Sequence, residues 1–141
     1  MKKIYTYSII LLLLASASCS KDILKKYDKR IIGTWHIVDV DRYGLGGDTD
    51  NLPFSEGSFT FYDNGTLSYV NATNTTFQGN WDIIKKTIDE EPLHGLKVTA
   101  VDFTGMQVLS EYYDDMNFTG TDRFNARIVS GLHTYVTRFR R

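Results

Sequence analysis

A single thiol, three imidazoles and scattered carboxylates are the groups in this 141-residue sequence that could support covalent, metal or proton chemistry. Nucleophilic catalysis needs a nucleophile beside a base, and a further group to orient that base. Cys19 has no histidine near it in sequence, there is no Gly-x-Ser-x-Gly elbow, and no glycine-rich phosphate loop occurs. Asp114 and Asp115 are adjacent, so on a strand they point to opposite faces and suit a solvated turn better than a carboxylate dyad. His36, His94 and His133 show no metal-ligand spacing. In Glu90-Glu91-Pro92-Leu93-His94 the proline favours a turn over a helix that would gather acids around the imidazole. Asp48-Thr49-Asp50-Asn51 offers oxygens to calcium but lacks the length and closing glutamate of an EF-hand loop. The expectation is a protein without enzymatic activity, metal or cofactor.

The chemistry that fits Cys19 is acylation. Lys2 and Lys3, the apolar run from Ile9 to Ala15, and the small residues Ser16, Ala17 and Ser18 form a basic region, a short apolar region and a cleavage zone. The apolar run is too short to span a bilayer core, which needs about 20 residues. The triplet before Cys19 resembles a lipobox, with Ser16 where Leu is commonest. That resemblance implies residues 1–18 are a signal peptide and Cys19 is the lipidated first residue of the mature chain, tethering it to a membrane. Each buried methylene of the acyl chains contributes about 0.8 kcal/mol to the anchor. Ser20, rather than Asp, after Cys19 implies the outer membrane of a cell envelope, with the facing side open.

Removing 18 residues from 141 leaves 123, enough for one core. Losing Lys2 and Lys3 moves the net charge from −1 to −3, which argues against nucleic acid as a partner. Arg138, Arg140 and Arg141 cluster at the end of the sequence and read as a solvated edge.

Residues 19–30 predict a tether and a short helix, with Ile23, Leu24 and Tyr27 at helical spacing. From Ile31 the sequence changes to short runs of β-branched and aromatic residues separated by Gly, Asn, Asp and Pro. Strands are expected over 31–42, 57–62, 66–71, 76–84, 95–102, 107–113, 121–130 and 134–140. The clearest hairpin surrounds Asp63-Asn64-Gly65, where Asn-Gly accepts positive φ and alternation puts Phe59 and Phe61 on one face. Ser130-Gly131 marks a second turn, and residues 43–55, with three glycines and Pro53, read as a loop or lid. The fold class is all-β: an antiparallel up-and-down meander of roughly eight strands, closed into a barrel to remove exposed edges, over residues 31–141.

Gly33-Thr34-Trp35 resembles the Gly-x-Trp signature that opens the first strand of lipocalins. Asp63-Asn64-Gly65-Thr66 and Gly79-Asn80-Trp81 extend the likeness to the lipocalin-like domains of small bacterial lipoproteins. The resemblance implies that Gly33 and Trp35 form a plug at one barrel end, with an arginine over the indole: Arg138 first, Arg140 second. The lipocalin disulfide is absent, since Cys19 is the only cysteine.

An eight-stranded interior either fills with side chains or holds one small ligand. If it holds an apolar or amphipathic ligand, Trp35, Ile37, Phe59, Phe61, Tyr69, Trp81 and Phe124 line the site. Without a bulge, parity also turns Asp39 inward as a polar anchor. A bulge after Ile37 would instead send Val38 and Val40 inward and Asp39 and Asp41 into solvent, and the cost of burying an unpaired charge favours it. If the interior is filled, the protein is an envelope scaffold that docks a protein partner on its outside. Replacing Cys19 by Ala should abolish incorporation of a labelled fatty acid and shift the chain from the membrane to the soluble fraction; retained label would refute the anchor.

Overall fold

The computed structural model describes residues 26–44, 52 and 54–141. Residues 1–25, which include the expected signal peptide and Cys19, and most of the 43–55 loop lie outside the described residues.

A four-residue helix, α1 (Tyr27–Arg30), precedes β1 (Gly33–Gly44), β2 (Ser58–Phe61), β3 (Thr66–Val70) and β4 (Thr76–Ile88). β5 (Glu91–Asp102), β6 (Gln107–Tyr113), β7 (Asp115–Phe118), β8 (Arg123–Ser130) and β9 (His133–Arg140) complete the chain. Among the described residues these nine strands form one antiparallel sheet in the order β6-β5-β4-β3-β2-β1-β9-β8-β7. Strands consecutive in sequence pair with one another except β6 and β7, which lie at the two edges, and β1 additionally pairs with β9, which joins the first strand to the last.

The sheet follows from alternation. Phe59 and Phe61 on β2, Leu67 and Tyr69 on β3, and Phe124, Ala126 and Ile128 on β8 are buried, while the residues between them face outward. These inward side chains form one core. The β2–β3 hairpin closes at Gly65, whose φ of 81° suits glycine, and Asn64 Oδ1 accepts hydrogen bonds from the Thr66 N–H and hydroxyl. A Cβ on Gly79 would run into the Thr99 carbonyl and Ala100 Cα, so glycine is what lets β4 lie so close to β5.

Four expectations need correction. The sheet has nine strands, because residues 115–118, outside the expected strands, form β7. It is not closed into a barrel: among the described residues β6 pairs only with β5 and β7 only with β8, the chain changing partner at Asp114. There the Asp114 backbone N–H donates to the Arg127 carbonyl, and its carboxylate accepts from the Val129 N–H. β4 and β5 also run well past the expected ends, as an arm closed by the two-residue turn Asp89-Glu90, with φ of 51° and 68°. Positive φ at both positions is the type I′ pattern, here without glycine, which is why the turn was not legible. Finally, helix within the described residues is confined to Tyr27–Arg30.

So short a helix is not stable alone. Its contacts hold it: the Tyr27 ring stacks on His94 with centroids 3.9 Å apart, and Arg30 donates to the Gly120 carbonyl at 2.8 Å while lying over Phe118. Ile31, fully buried, accepts a 2.6 Å hydrogen bond on its carbonyl from Trp35 Nε1. Trp35 is 0% exposed and packs edge-on against Phe124. The arginine over the indole is Arg141, 4.2 Å from the ring centroid, and its guanidinium also reaches the Arg30 and Ile32 carbonyls. Arg138, the expected plug residue, cannot serve: Tyr135, Thr137 and Phe139 take the inward positions of β9, which turns Arg138 and Arg140 outward. Trp35→Ala should therefore lower unfolding stability by about 3–5 kcal/mol, against about 1 kcal/mol for Arg141→Ala. Urea titration followed by circular dichroism checks the ranking, and equal losses would contradict it.

Candidate functional site

The first strand changes character halfway along. From Gly33 to His36 it pairs with β2 on one side, and that pairing ends at Ser58. The Ile37 N–H makes one further bond to the Gly57 carbonyl at 2.9 Å. Beyond it, among the described residues, β1 is bonded only to β9, and the ladder slips: Ile37 faces Phe139, whereas Asp39 already faces Arg138. Val38 is the extra residue of a β-bulge, pushed outward and 58% exposed. The slip keeps Ile37 and Val40 against the core and turns Asp39 and Asp41 to the outer face, where both carboxylates accept from Arg138. Val38 does not turn inward with Val40, because the bulged residue itself is the one excluded from the ladder.

Where β1 loses β2, a cleft of about 360 Å³ opens, bounded by Ile37, Asp39 and Arg42 of β1, Tyr135 of β9, and Leu52 and Glu56 of the connecting chain. Its electrostatics are largely compensated. Arg138, and then the Tyr43 hydroxyl donating at 3.0 Å, hold the Asp41 carboxyl below the usual carboxylate range. Arg42 donates to the His133 imidazole, 3.1 Å from Nε2. Under the cleft, the Tyr69 hydroxyl donates to the Glu56 carbonyl, and burial followed by the nearby Glu56 pushes its pKa up to about 12. Burial also raises the pKa of Glu111, a half-buried carboxyl on β6. The lining of the cleft is predominantly polar, with a smaller apolar part.

Of the residues expected to line a ligand site, only Ile37 and Asp39 border this cleft. Trp35, Phe59, Phe61, Tyr69 and Phe124 are at most 1% exposed and pack on one another and on Phe139. Phe59 and Tyr69 have centroids 4.5 Å apart, and Phe124 stacks on Phe139 at 4.3 Å. Trp81 is half-buried, edge-on to Phe61, with Nε1 donating to the Tyr62 carbonyl at 3.1 Å. These rings fill the interior. Arg42, Leu52, Glu56 and Tyr135 went unnoticed because nothing in their types reveals that β2 stops short of β1. The loop carboxylates Asp48 and Asp50, weighed for calcium, lie outside the described residues. Among the described residues no group of three or more His, Cys, Asp or Glu could hold a metal ion.

No protein-family model, curated protein or solved structure matches the chain. The lipocalin resemblance accordingly rests on the residues quoted for it.

Raising a tyrosine's pKa on folding means that ionisation is disfavoured in the native state. The corresponding stability is fully present below the ordinary value near 10 and is lost as pH rises through the folded value of about 12. Unfolding free energy should fall across that window, and Tyr69→Phe should flatten part of the fall, with the remainder belonging to Tyr113, also raised by burial. Denaturant titrations at closely spaced alkaline pH values measure this; an unchanged slope in Tyr69→Phe would contradict it.

Proposed function

We propose that this chain is a lipid-anchored, lipocalin-like module of the cell envelope, tethered through Cys19 at the outer membrane, which works non-enzymatically through its outer surface on an envelope protein partner. The observation that carries the reading is the filled interior, with every expected ligand-lining ring except Trp81 buried against others. A carrier that encloses its ligand needs an interior void of a few hundred Å³. Large apolar side chains lie instead on the outside: Phe103, Met106 and Val108 at the β5–β6 turn are 73%, 78% and 65% exposed, and Leu132 at the β8–β9 turn 80%. Exposed apolar surface of this kind is what an interaction module uses.

A second reading, binding of a small amphipathic ligand at the open end, is favoured by the cleft beside β1, whose apolar floor of Ile37 and Tyr135 meets polar Asp39 and Arg42. Native mass spectrometry of the full chain extracted in mild detergent separates the two. The scaffold reading expects the mass of the acylated chain alone. A reproducible additional small-molecule mass that leaves on denaturation would overturn it in favour of the ligand carrier, with Tyr135→Ala then expected to weaken retention.

A further inference from the structure

The register of the last strands assembles a second site on the opposite side of the bulge. Arg140 of β9 is the direct cross-strand partner of His36 on β1 and of Arg123 on β8, so three basic side chains form one row across the outer face. In the next row Arg138 is paired with Asn125. Between the rows lies a cleft of about 320 Å³ bordered by Arg123, Arg138, Arg140, Asn125, Thr119 and the extruded Val38. Among the described residues no carboxylate borders it. Asp39 and Asp41 hold Arg138 from one flank, and Asp122 approaches Arg123 Nε at 3.7 Å from the other. Among the described residues Arg140 has no side-chain hydrogen bond or ion pair. Like charges directly opposite on adjacent strands are destabilising. A bound oxyanion would relieve that repulsion, and guanidinium forks match phosphate oxygens in pairs.

We propose that this cleft is an oxyanion-binding site for phosphate-class groups, with Arg123 and Arg140 as the principal ligands and the Asn125 amide and Thr119 hydroxyl as additional donors. The site itself does not depend on the function proposed above, whereas a lipid headgroup as its occupant rests on the Cys19 anchor of that reading. The arrangement also suits a lipid headgroup. The Gly120–Arg123 turn is bound to α1 through Arg30 and to the end of β9 through the Arg141 N–H, so the cleft lies at the end of the domain nearest the N-terminal segment. Cys19 precedes Lys26 by seven residues, a reach of at most about 25 Å.

The test is an NMR titration of the full chain in nonionic detergent, reading the arginine Nε–Hε signals against inorganic phosphate and pyrophosphate at constant ionic strength. Saturable shifts of Arg123 and Arg140 are expected, weakened at least tenfold in Arg123→Gln and in Arg140→Gln but unchanged in Arg127→Gln, a surface arginine one row away. Arg140→Lys, which keeps the charge, should retain the fold and part of the binding, so lost binding is not mistaken for unfolding. Micelles doped with phosphatidylglycerol form the second arm. Saturation there but not with free phosphate makes the headgroup the source, and saturation with both makes the free anion sufficient. Shifts equal to those given by chloride, shifts indifferent to Arg123→Gln and Arg140→Gln, or no saturation in either arm would overturn the site.

Discussion

The burial of Trp35 is the contact on which α1, β8 and the C-terminal residue converge. Its indole N–H is bound to the carbonyl of Ile31, its edge meets Phe124 of β8, and its face carries the guanidinium of Arg141. A four-residue helix, the first strand and the last residue are thus fixed by one side chain. A Trp N–H in a core needs a partner, and the carbonyl it uses lies at the end of α1, so satisfying the indole also sets the path by which the chain enters the sheet. β1 lies between β2 and β9, which places Trp35 beside both α1 and the end of β9.

The Val38 bulge is the next constraint. One residue excluded from the ladder turns two carboxylates outward onto Arg138 and leaves apolar side chains against the core. In the unbulged register Asp39 would point inward, and an unpaired charge there is strongly unfavourable. The same slip separates the two clefts: one lies where β1 has lost β2, the other among the outward arginines of β8 and β9. The interior is occupied by rings in contact, so under the proposed function recognition falls to these outer features.

A sheet whose edge strands do not pair exposes backbone groups. Here the exposure is limited because β6 and β7 are one stretch of chain broken only at Asp114, whose carboxylate takes the place of a ladder acceptor for Val129. The sheet thus remains open, with β6 and β7 as its edge strands among the described residues.

The all-β class, the Asn-Gly hairpin and the burial of Phe59, Phe61, Tyr69 and Phe124 were legible from local alternation and turn chemistry, because each depends on residues close in sequence. By itself the sequence thus determined strand character and which faces are apolar. It did not determine that Asp89-Glu90 would form a tight turn without glycine, nor that β6 would change partner at Asp114. It also left unresolved that Arg141, rather than Arg138, would cover Trp35. The turn lacks the glycine that would mark it, and the other two depend on pairing between strands far apart in the chain, where a one-residue slip such as the one at Val38 inverts every outward and inward assignment beyond it. Only the tertiary structure fixes that slip, because its energy comes from the whole core and from charges that meet only after folding.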